Sequence, residues 1–173
     1  MTSVYEPIMD ALLSLLQTQC GDTFLYYSRR FQTWEEVIQN SKRGQPMQLL
    51  QPALFLYDGV GFGGGRIKMD PRGRGTPTVR TMQRTIVIYA QLPGGGLADG
   101  PDADTAGGTV FAPLQEAVEA AFGQEVGDGP GGAQTLGGLV SHCWIEGDCI
   151  WVTGDIDPGG QGMIAIPISI MIP

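Results

Sequence analysis

The sequence predicts a single α+β domain over residues 1–173, with one mostly antiparallel sheet, two main helices packed on one face, and long glycine-rich loops. Residues 164–172 carry isoleucine at every second position, which indicates a strand with one buried face. Residues 6–19 and 109–122 instead place apolar side chains at helical spacing. The order helix, strands, helix, strands is typical of this class, and 173 residues suit one core.

The first helix is expected over residues 6–19, with Leu12 and Leu16 buried and Gly21 as its stop signal. Residues 24–31 are rich in aromatic side chains and predict a short strand. Thr33 to Glu36 matches a capping box, which predicts a short helix ending near Gln39. The apolar residues 52–57 have the length of a strand.

Two long loops are expected on either side of one long strand. Residues 58–77 contain seven glycines and four cations, so we expect a mobile basic loop that becomes ordered against a partner. Residues 78–92 predict the long strand, with residues 86–90 as its buried part. Residues 93–108 form the second expected loop, which is acidic.

The remaining elements follow the second loop. A helix is expected to begin between Thr109 and Pro113 and to run to Phe122. Residues 139–146 and 150–154 predict a hairpin that turns at Gly147 and Asp148. The isoleucine strand, residues 162–173, contains Pro167, which cannot donate a hydrogen bond. We therefore expect this strand at a sheet edge or beside a subunit partner.

Charge is divided unevenly along the chain. Ten basic and seven acidic residues give the stretch up to Arg84 a net charge of +3, whereas eleven acidic and no basic residues give the remainder −11. Two such halves attract each other between copies, while like halves repel, which favours head-to-tail self-association. The total of −8 argues against a simple nucleic-acid binder or a binder of anionic membranes.

No motif predicts catalysis or a bound cofactor. The glycine run at residues 59–65 lacks the Lys-Ser/Thr that completes a phosphate loop. His142 and Cys143 are neighbours in a predicted strand and so face opposite sides, which is a poor geometry for a Cys-His pair. The pair Asp102 and Asp104 lacks the remainder of a calcium loop. The three cysteines, Cys20, Cys143 and Cys149, show no zinc-ligand spacing. We expect no enzyme activity, no cofactor and no metal.

Several short segments, taken in chain order, carry a resemblance to a known family. They are Ile8, Ala11-Leu12 and Leu15-Leu16, then Arg30, Trp34-Glu35-Glu36-Val37 and residues 51–56, then residues 86–90 and 113–118, and finally residues 135–147 with the closing Ile-Pro-Ile strand. This ordered set resembles the tail terminator (tail completion, minor tail protein) family of long-tailed bacteriophages. The resemblance covers nearly the whole chain except residues 58–77 and 93–108.

The resemblance implies a structural virion protein that forms a ring, expected to be a hexamer, on the head-proximal end of the tail. Such a ring would cap the tail tube, end its polymerisation and form the joint to the head. The implied partners are further copies of the chain, the tail tube protein and a head-completion or neck protein, with DNA passing through without sequence-specific binding. No membrane partner is expected, and assembly would occur in the host cytoplasm.

The two charged loops are the expected partner interface. Its members are Arg66, Lys68, Arg72 and Arg74 in the basic loop and Asp99, Asp102 and Asp104 in the acidic loop. Two alternatives remain open at this point. The chain could be a neck connector or tail tube subunit, or, in a different class, a monomeric protein that binds nucleic acid or another polyanion through the basic loop.

Overall fold

The fold is that of a computed structural model, which describes residues 5–29, 51–57, 67–70, 79–91, 103–123, 134–156 and 161–173. Two helices and a mostly antiparallel sheet make up these residues, which confirms the α+β class. The capping-box helix expected at residues 33–39 lies outside the described residues, as do most of residues 58–77 and 93–102.

Helix α1 spans Tyr5–Cys20, close to the expected bounds, and it buries Ile8, Leu12 and Leu16. Helix α2 spans Ala103–Ala121 and therefore begins earlier than expected. The prediction that residues 103–108 belong to a loop was wrong. Gly107 and Gly108 lie inside this helix, which tolerates glycine at a cost of about 1 kcal/mol each relative to alanine.

Seven strands form one sheet. They are β1 (Tyr26–Ser28), β2 (Ala53–Tyr57), β3 (Ile67–Asp70), β4 (Val79–Gln91), β5 (His142–Ile145), β6 (Ile150–Ile156) and β7 (Gln161–Ile172). The centre is the antiparallel pair β4–β7, which runs in unbroken register from Arg80 opposite Ile172 to Gln91 opposite Gln161. Strands β2 and β3 pair with the other side of β4, and β5 and β6 with the other side of β7. Only β1, which extends the sheet beyond β2, is parallel to its neighbour.

Both helices pack on the same face of the sheet, as expected. The even-numbered isoleucines of β7, including Ile166 and Ile168, are at most 5% exposed on that face. They pack in one cluster with Leu12 and Leu16 of α1 and with aromatic and aliphatic side chains of α2. The opposite face carries a second buried cluster, in which the ring of Phe55 contacts Tyr26 and Tyr89 with centroids 5.7 and 5.6 Å away. Alternation therefore sends successive side chains of the central strands into two different buried clusters, one on each face.

Strand β7 lies in the middle of the sheet, so the expectation that Pro167 places it at an edge was wrong. The carbonyl oxygen of Pro167 accepts a hydrogen bond from the Glu146 amide at 3.0 Å, on the side of β5 and β6. A strand residue directs its N–H and C=O to the same side, so the missing donor of Pro167 also faces β5 and β6. The strand order is interrupted there, between Ile145 and Ile150.

The expected hairpin at Gly147 and Asp148 is also absent. Strands β5 and β6 do not pair with each other but follow one another along β7, with Ile145 opposite Ile168 and Ile150 opposite Ala165. The four residues between them bulge beside Pro167, and Gly147 adopts a φ of +97°, which glycine reaches without a steric penalty. The turn signal therefore marks a bulge and not a reversal.

Strand β3 lies inside the segment that was expected to be a loop. Its residues Ile67 to Asp70 pair with the first four residues of β4. Apolar and charged residues alternate in β3, which suits a strand. The pairing is possible because β4 has 13 residues and extends past β2, leaving Val79–Met82 for a second partner.

Candidate functional site

The structure places two of the seven predicted interface residues. Lys68 lies in β3, opposite Thr81 of β4, and Asp104 is the second residue of α2. Arg66, Arg72, Arg74, Asp99 and Asp102 lie outside the described residues. The described part of the fold therefore puts one predicted cation on an outer strand and one predicted acid at the start of a helix, and it does not join them in one site.

The charge division of the sequence becomes a lateral division of the sheet. Strands β1 to β4 all come from the part of the chain that ends at Gln91, which contains every Lys and Arg. Strands β5 to β7 and helix α2 come from the part that has acidic residues alone. The boundary between the two halves is the β4–β7 pair. One outer edge of the sheet is thus built from the cationic part of the chain and the other from the acidic part.

On the cationic side, Arg29 is already paired within the chain. Its two guanidinium nitrogens donate to Glu6 and Asp10 of α1, each at 2.7 Å. Burial by itself would lower the pKa of Arg29, but these two hydrogen bonds and charges outweigh it and raise the pKa. Sequence analysis missed this contact, although Glu6 and Asp10 are four residues apart and share a helix face. Arg80, by contrast, is exposed on β4 beside β3.

On the acidic side, β6 is an outer strand with apolar side chains in solvent. Ile150 is 55% exposed and Trp151 41% exposed. Among the described strands, β6 pairs with β7 alone. Because neighbouring strand residues face opposite sides, the strand presents apolar surface on both of its faces. Glu146 and Asp148, which precede it, are exposed as well.

Trp151 is held in place by α2. Its indole ring meets the Phe111 ring edge to face with centroids 5.8 Å apart. The indole N–H donates to the Gln115 side-chain oxygen at 2.8 Å, and the Gln115 amide in turn donates to Glu119 at 2.7 Å. These contacts fix the start of β6 relative to the helix. Sequence analysis did not identify Ile150 or Trp151. Three consecutive apolar residues at 150–152 put apolar side chains on both faces of a strand, but the neighbouring elements decide whether those faces are buried.

Among the described residues, His142 and the three cysteines lie apart from one another or face different ways. His142 is exposed, whereas the neighbouring Cys143 is fully buried, so the two side chains face opposite sides as expected. Burial raises the pKa of the Cys143 thiol to about 12 and those of Cys20 and Cys149 to about 11, which keeps all three thiols protonated at neutral pH. Within the described ranges, no group of three or more His, Cys, Asp or Glu residues is arranged to hold a metal ion.

A shallow groove of about 280 Å³ lies between α1 and the segment before β5. Ala11, Ser14 and Leu15 line one wall, and Gln134 and Leu136 line the other. All its lining side chains are uncharged, so the groove offers no acid or base. Neither helix in the described part of the chain combines the length and hydropathy needed to cross a membrane.

Comparison with the models of known protein families gives no match for this chain, and comparison with curated proteins gives none either.

Proposed function

We propose that this chain is a structural virion protein that forms a ring on the head-proximal end of a phage tail. The ring caps the tail tube, ends its polymerisation and forms the joint to the head. The chain has no enzymatic role and needs no cofactor. The observation that carries the proposal is the division of the sheet into a cationic half and an acidic half, together with the ordered sequence resemblance to tail terminators.

The charge division favours contacts between unlike edges. When the cationic edge of one copy meets the acidic edge of the next, the same contact is repeated by every copy. Such a heterologous contact leads to a closed ring if the rotation between copies closes, and to a filament if it does not. A terminator must close, because an open filament would extend the tail. The ring's two open faces are then available to the tail tube protein and to the head-completion or neck protein.

The proposal is tested by deleting the gene from its phage and imaging the particles by electron microscopy. Without a terminator, nothing ends the growth of the tail tube. We therefore expect tails of irregular and excessive length that carry no heads. The wild-type gene supplied in trans should restore tails of uniform length.

The same images separate the other candidate functions. A neck connector would give tails of normal length that are not joined to heads, and a tube subunit would give no tails. Normal virions would show that the chain is not a structural component and would favour the polyanion-binding alternative.

A further inference from the structure

We propose that the outer edge of β6 binds strand β3 of a second copy of this chain, so that the sheet continues from one subunit into the next. This inference rests on the proposed function, since it names the surfaces through which the ring forms. The occupant is a second copy because the chain itself carries an edge of complementary charge.

The outer edge of β6 has the properties of an edge that is covered in the assembled state. Natural proteins protect outer strands with charged side chains, prolines or bulges, and an apolar unprotected edge is a template for another strand. The register of β6 is regular from Ile150 to Thr153 and shifts before Ile156. The usable edge is therefore four residues long, and it is the part that exposes Ile150 and Trp151.

Strand β3 fits this edge in length and charge. It also has four residues and, among the described strands, it pairs with β4 alone. It carries one cation, Lys68, and one acid, Asp70, and lies beside the exposed Arg80, so these three charges sum to +1, whereas Glu146 and Asp148 precede β6. Strand β1 is the other outer strand of the cationic half, but the cation that follows it, Arg29, already pairs with two acids of α1.

Pairing of two β6 edges across a twofold axis is disfavoured by the same charges. In a twofold antiparallel pair of these four-residue edges, residue 148 of one copy would lie opposite residue 155 of the other, and both positions are aspartate. Like charges in direct opposition destabilise a strand pair. The head-to-tail contact between β6 and β3 avoids this repulsion.

The test uses the full chain and one variant for each edge. Ile150→Lys places a charge on the β6 edge, and the double substitution Lys68→Glu with Arg80→Glu reverses the cationic edge. Leu139→Lys is the matched control, because Leu139 is 43% exposed and lies outside both edges. Analytical ultracentrifugation measures the concentration at which each protein assembles. We expect each edge variant to raise that concentration roughly tenfold or more, as loss of a central interface residue does, and the control to leave it unchanged.

Mixing the two edge variants gives the sharpest result. Each variant retains one intact edge, so an equimolar mixture should form a one-to-one dimer although neither protein assembles alone. If Ile150→Lys lowers the melting temperature, Asp148→Lys tests the same edge without touching an apolar residue. If the β6 variants assemble at the same concentration as the wild type, the β6–β3 contact is overturned and the ring proposal is not affected. A wild-type chain that stays monomeric throughout, also in the presence of tail tubes, would overturn both.

Discussion

Substitution of Gly162 by alanine should destabilise the fold because helix α2 approaches β7 too closely there for a Cβ atom. An added Cβ would lie 2.2 Å from Cζ of Phe111, 3.0 Å from its Cε1 and 3.1 Å from the Val152 carbonyl oxygen. Carbon atoms in ordinary contact are about 3.5 Å apart or more, so the ring would have to retreat by about 1.3 Å. Phe111 is fully buried and packs on Trp151, which leaves it little room.

The expected change in the free energy of unfolding is the difference between two effects. Overpacking a core costs about 1–3 kcal/mol. Restricting the unfolded chain by replacing glycine with alanine stabilises by about 0.4–1 kcal/mol where the backbone is compatible. We expect a net loss of about 1–2 kcal/mol, or a fall in Tm of roughly 2–8 °C for a chain of this length. Thermal unfolding at one fixed protein concentration measures it, since assembly also affects Tm.

A double-mutant cycle identifies the cause of the loss. Phe111→Leu removes the ring atoms that would clash, so Gly162→Ala should cost less in that background, with a coupling of about 0.5–3 kcal/mol. A Gly162→Ala protein that is as stable as the wild type, or equal losses in both backgrounds, would show that the close approach of α2 to β7 is not a feature of the fold.

Three further predictions concern the core, its titration and the basic segment. Ile166→Ala or Leu12→Ala should each lower the free energy of unfolding by about 2–5 kcal/mol in chemical denaturation, because both side chains are fully buried, and a negligible change would contradict the assigned core face. Burial raises the pKa of the Cys143 thiol from 9.0 to about 12, so its contribution to stability is complete below pH 9 and is lost as pH rises from 9 to 12. Cys143 should add up to about 1.4 kcal/mol per pH unit to the fall in the free energy of unfolding over that window, beside the contributions of Cys20 and Cys149, whose pKa values burial raises to about 11. Cys143→Ala should reduce the slope, and an unchanged slope would refute the assignment. Replacing Arg66, Lys68, Arg72 and Arg74 together with serine should leave Tm nearly unchanged, because exposed charges contribute little to stability. It should impair tail assembly, measured by tail length and phage titre in complemented cells, and normal tails and titres would mean that these cations have no role in assembly.

The elements with strong local periodicity were predictable from the sequence. The alternating isoleucines identified β7 and its buried face, and the helical spacing of Leu12 and Leu16 identified α1 to within a residue or two of its ends. In both cases the same few residues determine the element and its buried side. Burial of apolar surface is the dominant favourable term in folding, so an element with a clear apolar face forms as its sequence pattern predicts.

The features that failed depend on residues far apart in the chain. Pro167 suggested an edge strand, but the interruption between β5 and β6 accommodates its missing donor, and nothing near Pro167 in sequence reveals that interruption. Strand β3 is too short to stand out among glycines, and it forms because β4 extends beyond β2.

The candidate interface also depends on contacts between residues far apart in the chain. The charge division along the chain was predictable from the sequence. Its placement on opposite edges of the sheet was not, because it follows from the β4–β7 pairing. The exposed Ile150 and Trp151 became recognisable as an edge once β6 was seen to pair with β7 alone among the described strands. Likewise, Arg29 forms its ion pairs with Glu6 and Asp10 because β1 lies beside α1 in the fold.

The most direct test of the central claim is the mass of the purified wild-type protein in solution, measured by light scattering or native mass spectrometry over a range of concentration and salt. A ring-forming subunit should give a closed assembly of defined mass, a whole multiple of the 18.4 kDa chain. Added salt should weaken this assembly, because exposed charge contacts are screened beyond about 8 Å at physiological ionic strength. A protein that remains an 18.4 kDa monomer at high concentration, and does not assemble on tail tubes either, would show that the chain does not form a ring.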